Sequence, residues 1–134
     1  MSDIYQMAAS LARPVARGYI TRTEADAALL ASTLAAKRRG MTYEVRDVFG
    51  GLRHILDLHL EKERVRRMLT EQRIQRRIRP LITLRKPSNA VLAQAHSVNG
   101  EDGFPFDEAD VTEMAVDAIY WALPPAPRRH NYAR

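Results

Sequence analysis

An all-α fold is the reading the sequence supports, and three observations carry it. Apolar residues recur at three- and four-residue spacing through several stretches. Helix start and stop signals bracket those stretches. No stretch alternates apolar and polar residues as a half-buried strand does. The expected architecture is about five helices with a long basic central helix or helix pair. They would form a single helical domain over 1–123, followed by a Pro-rich, basic, flexible tail over 124–134.

The first helix is predicted from about Asp3 to Arg17. Ile4, Met7, Ala8 and Leu11 fall at helical spacing, and Pro14, which has no N–H, predicts a kink or break. The second is predicted from Thr21 to Arg39. Thr21 and Glu24 have the spacing of a capping box, Ala25 to Ala36 is rich in alanine, and Gly40 is the stop. The third stretch, Tyr43 to Ile82, carries an apolar stripe of Val45, Val48, Phe49, Leu52, Ile55, Leu56 and Leu60, then a looser one of Val65, Met68, Leu69, Ile74 and Ile78. It reads either as one extended helix or as two with a hinge near Glu61 to Arg64; Gly50-Gly51 marks a bend or a close helix contact, and Pro80 an end or kink. A fourth helix is expected over Ser88 to Val98, stopped by an Asn99-Gly100 turn. A fifth is expected over Asp107 to about Leu123, with Asp107 as the cap and Phe106 stapled to Val111. The N-terminal helices and this last one are expected to pack on the Val45–Leu60 stripe. The aromatic residues read mainly as core and loop anchors.

Composition bounds the function. A chain of 134 residues with 46% hydrophobic content has enough apolar surface for one packed domain. The absence of cysteine excludes disulfides and thiolate metal sites and fits the cytoplasm. No apolar run reaches the roughly 20 residues of a membrane span, so no membrane partner is expected. Met1 to Leu11 lacks the basic start and continuous apolar stretch of a signal peptide.

Charge is strongly uneven. Between Lys62 and Lys86 ten basic residues face only Glu63 and Glu71, a local +8 in a chain of net charge +5. Lys62, Arg66, Arg73 and Arg77 fall within a sector of roughly 60° on a helix, a stripe about 22 Å long that matches a run of phosphates. Arg67 and Arg76 lie in the same stretch, and Lys37, Arg38 and Arg39 form a second basic cluster. Guanidinium groups suit bidentate phosphate contacts. Conversely, Glu101 to Asp117 carries seven carboxylates and no basic residue. Asp107, Glu108, Asp110, Glu113 and Asp117 are candidates for a basic partner, and the segment as a whole is a candidate for docking on the basic helix itself.

Catalytic signatures are missing. The sequence has no Gly-rich phosphate loop, dinucleotide fingerprint or nucleophile elbow. His54 and His59 are five residues apart, about 140° on a helix, which is the wrong spacing for a zinc pair. No enzyme activity, cofactor or metal is expected.

The run Arg17-Gly18-Tyr19-Ile20-Thr21, continued by Glu24-Ala25 and Ala28-Leu29, resembles a helical segment of phage and plasmid primase and helicase proteins. There a short helix leads through a similar glycine-to-glutamate start into an alanine-rich helix. The likeness covers about 25 of the 134 residues. It implies an accessory helical module of a mobile element. No primase metal or carboxylate motif and no ATPase motif accompanies it, and no catalytic residue carries over.

These readings converge on a small non-enzymatic accessory protein that binds DNA or RNA phosphates through an arginine-rich helix. The alternatives are a protein-interaction module, as adaptor or inhibitor of a nucleic-acid-processing machine, and a helical protein that self-assembles by pairing its acidic and basic ends.

Overall fold

A computed structural model describes residues 2–123; the proline-rich tail predicted at 124–134 lies outside the described residues. The fold is all-α. Its helical segments are α1 (Ser2–Ser10), α2 (Ala12–Ala16), α3 (Arg22–Arg38), α4 (Val45–Thr83), α5 (Ser88–Glu101) and α6 (Glu108–Ala122). The chain divides into two compact units, Met1–Met68 and Leu69–Arg134, and α4 supplies residues to both.

In the first unit, α1 and α2 together make the first predicted helix. The break comes at Leu11 rather than Pro14. Pro14 is the third residue of α2, within the first turn, where an N–H would have no intrahelical acceptor in any case. The capping box of α3 forms as its spacing requires: the Thr21 hydroxyl accepts from the Glu24 N–H at 3.0 Å, and the Glu24 carboxylate accepts from the Thr21 N–H at 3.3 Å. Ala8, Ala12, Ala25, Leu29, Leu52 and Leu56 form the buried core. Alanine at half of these positions lets the helices of this unit approach closely while the leucines fill the space between them.

Gly50 and Gly51 neither interrupt α4 nor mark a close contact. Helix α4 runs through both, and nothing lies within 4 Å of where a Cβ would stand on either. Pro80 does not end α4 either. The helix continues to Thr83, at the expense of the hydrogen bond that residue 80 would have donated to the Arg76 carbonyl.

In the second unit the core is Ile74 and Ile78 of α4, Val91, Ala95 and Val98 of α5, and Phe106, Val111 and Ala115. Helix α6 therefore packs with α5 and on Ile74 and Ile78, not on the Val45–Leu60 stripe as expected. Asn99-Gly100 is not a turn, because α5 runs on to Glu101. Buried Asn99 instead uses its side chain to hold the next segment: its Nδ2 donates to the Phe106 carbonyl at 2.9 Å and its Oδ1 accepts from the Phe106 N–H at 3.1 Å. The chain reverses at Gly103, whose φ of +79° favours glycine, with Phe104 N–H donating to the Asn99 carbonyl at 2.8 Å. Phe106 and Val111 are buried in the same cluster, as the staple requires. Asp107 occupies the N-cap by its extended backbone, but its side chain makes no capping hydrogen bond.

Two stability predictions follow from these placements. Gly50→Ala and Gly51→Ala are each expected to stabilise the protein by about 0.5–1 kcal/mol, because alanine fits the open helix face with less lost backbone entropy. Asn99→Ala is expected to cost about 2–4 kcal/mol, since it removes both hydrogen bonds to the Phe106 backbone beside a buried core. Urea unfolding followed by circular dichroism measures all three.

Candidate functional site

The basic residues singled out in the sequence divide into those with carboxylate partners inside the fold and those without. In the second unit, Arg73 is committed. Its guanidinium donates to Glu101 at 2.8 Å and to the Asp102 carboxylate. The hydroxyl of Thr70, 1% exposed, donates to the other oxygen of Asp102 at 2.7 Å. One carboxylate at the end of α5 thus satisfies a buried hydroxyl and a guanidinium of α4 together. Arg77, on the same face, lies 3.9 Å from Glu101 and 3.4 Å from the Gln94 amide oxygen. The first two residues of the acidic segment, Glu101 and Asp102, are therefore intramolecular partners of the basic helix.

Arg76 and Arg79 stand differently. Both are exposed, and neither guanidinium has a hydrogen bond or ion pair among the described residues. They sit three residues apart, about 60° around the helix, so their side chains are neighbours. Arg85 and Lys86, just beyond α4, are likewise exposed and unpaired among the described residues. None of these last three beyond Arg76 was singled out as a binding residue from sequence. For Arg79 the signal is its angular offset on α4 from Arg73 and Arg77, the face that Glu101 occupies; Arg85 and Lys86 lie beyond the helix and carry no such signal.

In the first unit, Arg66 lies 3.7 Å from Glu63, whose same oxygen is 3.6 Å from Arg13. Arg67 is half-buried. Arg64 donates through Nε to Glu61 at 3.0 Å, and this hydrogen bond holds the exposed Glu61 carboxyl below its ordinary range. Lys62 is exposed and has no partner among the described residues. Of the second basic cluster, Lys37 is committed: its Nζ donates to the Tyr43 carbonyl at 2.8 Å and lies 5.8 Å from the centre of that ring. Arg38 and Arg39 point to solvent.

The histidine–aspartate group near the middle of α4 also has a structural use. Asp57 accepts from Arg22, which bonds Asp26 as well. Partial burial opposes the charge on Arg22, but the hydrogen bonds to Asp57 and Asp26 outweigh it and raise its pKa above the ordinary arginine value. Among the described residues, no three His, Asp or Glu side chains converge in a way that could hold a metal ion.

On α6, Glu108, Glu113 and Asp117 are exposed, while Asp107 and Asp110 are half-buried. Beside Glu113 and Asp117 stand Val116, Tyr120 and Trp121, the last 81% exposed. These two aromatic residues are surface groups, contrary to their reading as core. Their rings meet edge to face at 5.6 Å. No helix of the described residues is long and apolar enough to cross a membrane.

No protein-family model, curated protein or solved structure matches the chain.

The division of the arginines makes a stability contrast. Arg73→Ala is expected to cost about 1–2 kcal/mol, because it removes the guanidinium that bonds both Asp102 and Glu101. Arg76→Ala, which removes no contact inside the fold, is expected to stay within about 0.5 kcal/mol of the parent. Chemical denaturation of the two variants checks this, and equal losses would contradict it.

Proposed function

We propose that this chain is a small non-enzymatic nucleic-acid-binding protein that contacts phosphates through the arginines near the C-terminal end of α4. The observation that carries the reading is Arg76 and Arg79, two adjacent exposed guanidinium groups with no carboxylate partner among the described residues. Fold stability gives no reason for that arrangement, since unneutralised like charges repel. Phosphate oxygens supply the acceptors that a guanidinium fork matches. Arg77, 47% exposed and only loosely held at 3.9 Å by Glu101, is the next contributor. Arg73 has a structural role in this reading rather than a phosphate contact. Lys62, Arg38 and Arg39 are further exposed cations of the first unit. An accessory role in a phage or plasmid rests on the resemblance of the Arg17–Leu29 segment, and a cytoplasmic location on the absence of cysteine.

A second reading, a protein-interaction module, is favoured by α6. Val116, Tyr120 and Trp121 expose apolar area beside Glu113 and Asp117, a pattern that suits a partner with basic and apolar residues.

The discriminating experiment is fluorescence anisotropy of labelled single- and double-stranded DNA and RNA from about 50 to 200 mM salt. The expected result is binding whose log affinity falls linearly with log salt. In the Arg76→Ala/Arg79→Ala double variant, the slope on duplex DNA is expected to flatten by about 1.8, the share of two phosphates. Absence of binding at the lowest salt overturns the reading, and an interaction lost in Tyr120→Ala/Trp121→Ala would then favour the protein-partner module.

A further inference from the structure

Where α4 ends, a cleft of about 640 Å³ opens between the turn after α4, the start of α5 and the end of α6. Ile82, Val91, Ile119 and Leu123 give it apolar walls, and Arg85 and Lys86 lie along its lining. Among the described residues, no carboxylate lines it. Its volume falls in the range of sites that enclose a small organic molecule, and an apolar lining with a few charged groups is the composition of such sites.

The way α4 terminates brings the two cations there. Lys86 N–H donates to the Leu81 carbonyl at 2.9 Å and Arg85 N–H to the Ile82 carbonyl at 3.0 Å, the bond pair of a Schellman motif. That motif needs a left-handed residue, and Arg85 supplies it at a φ of +57°. At the corresponding place after α2 and after α5 the chain uses Gly18 and Gly103, with φ of +78° and +79°. An arginine in that conformation carries a steric penalty that glycine avoids. The Arg85 side chain does not offset it by packing, since it is exposed and has no partner among the described residues. Backbone strain held at a cation in a cleft marks that cation as the feature retained.

We propose that this cleft binds a small amphiphilic organic anion. Its carboxylate or phosphate head is held by Arg85 and Lys86, and its apolar body lies against Ile82, Val91, Ile119 and Leu123. The proposal is independent of nucleic-acid contact, because Arg76 and Arg79 do not line the cleft.

The test is isothermal calorimetry of the full chain with decanoate and with decyl phosphate, each as monomers below its micelle concentration. Saturable binding of either anion is expected, with decanol and butyrate at least about tenfold weaker because each lacks one half of the recognition. Arg85→Gly separates structure from binding. It is expected to raise Tm by about 2–4 °C by relieving the left-handed strain, and to weaken the anion about tenfold. Lys86→Gln, at an exposed side chain, is expected to weaken the anion with Tm unchanged. Failure of both anions to bind overturns the proposal. So does decanol binding as tightly as decanoate, or an Arg85→Gly variant that binds the anion undiminished. Binding to anionic vesicles without binding to either monomeric anion would also overturn it, in favour of a membrane surface.

Discussion

The amide of Asn99 is the constraint on which the second unit depends. A buried amide must satisfy both its donor and its acceptor, and Asn99 does so on one residue, the Phe106 backbone. That bond pair closes the segment between α5 and α6 and seats Phe106 in the core with Val111 and Ala115. Just past the end of α5, Asp102 collects Thr70 and Arg73 of α4. The arrangement is sensitive: an apolar residue at 99 would fill similar space and remove both hydrogen bonds to the Phe106 backbone.

The basic helix illustrates why a count of charges along a sequence misleads about a surface. The excess between Lys62 and Lys86 is real in the sequence. Yet Arg73 belongs to a face that meets carboxylates nearly thirty residues away and is neutralised by them, while Arg77, on the same face, is only loosely held by Glu101 at 3.9 Å. Local periodicity assigns residues to a face of a helix, but it does not say what that face meets. Arg76 and Arg79 turn away from α5's acidic end and keep their charge uncompensated among the described residues. Phosphate contact therefore fits a narrower set than the stripe of Lys62, Arg66, Arg73 and Arg77.

The parts of the fold that could be read in the sequence are those set by local chemistry. Thr21 and Glu24 specify a helix start within four residues, and the structure forms both bonds. Gly40 follows α3 with a φ of +88°, as a helix stop should. What could not be read is set by distant partners. Asn99-Gly100 has the composition of a turn, but Asn99 is held in α5 by a residue seven positions on. The apolar stripes of α4 gave no indication which would receive α6, because both have helical spacing. Nothing in the residue type of Arg85 announces a left-handed backbone, so the cleft it lines was invisible beforehand.

Exposure and stability pull apart in the second unit, and that separation points toward function. Its paired charges, Arg73 with Glu101 and Asp102, hold elements together. Its unpaired features do not: two adjacent guanidinium groups repel, Arg85 carries a left-handed backbone, and Trp121 leaves most of its ring in water. Each would be relieved by a common substitution, a neutral residue for Arg76 or Arg79, glycine for Arg85, a polar residue for Trp121. A fold selected for stability alone would not accumulate them at one end of a helical unit. On the proposed readings an anion would neutralise the arginines and a contacting surface would cover the ring. The cost to the free protein then reappears as affinity in the bound one.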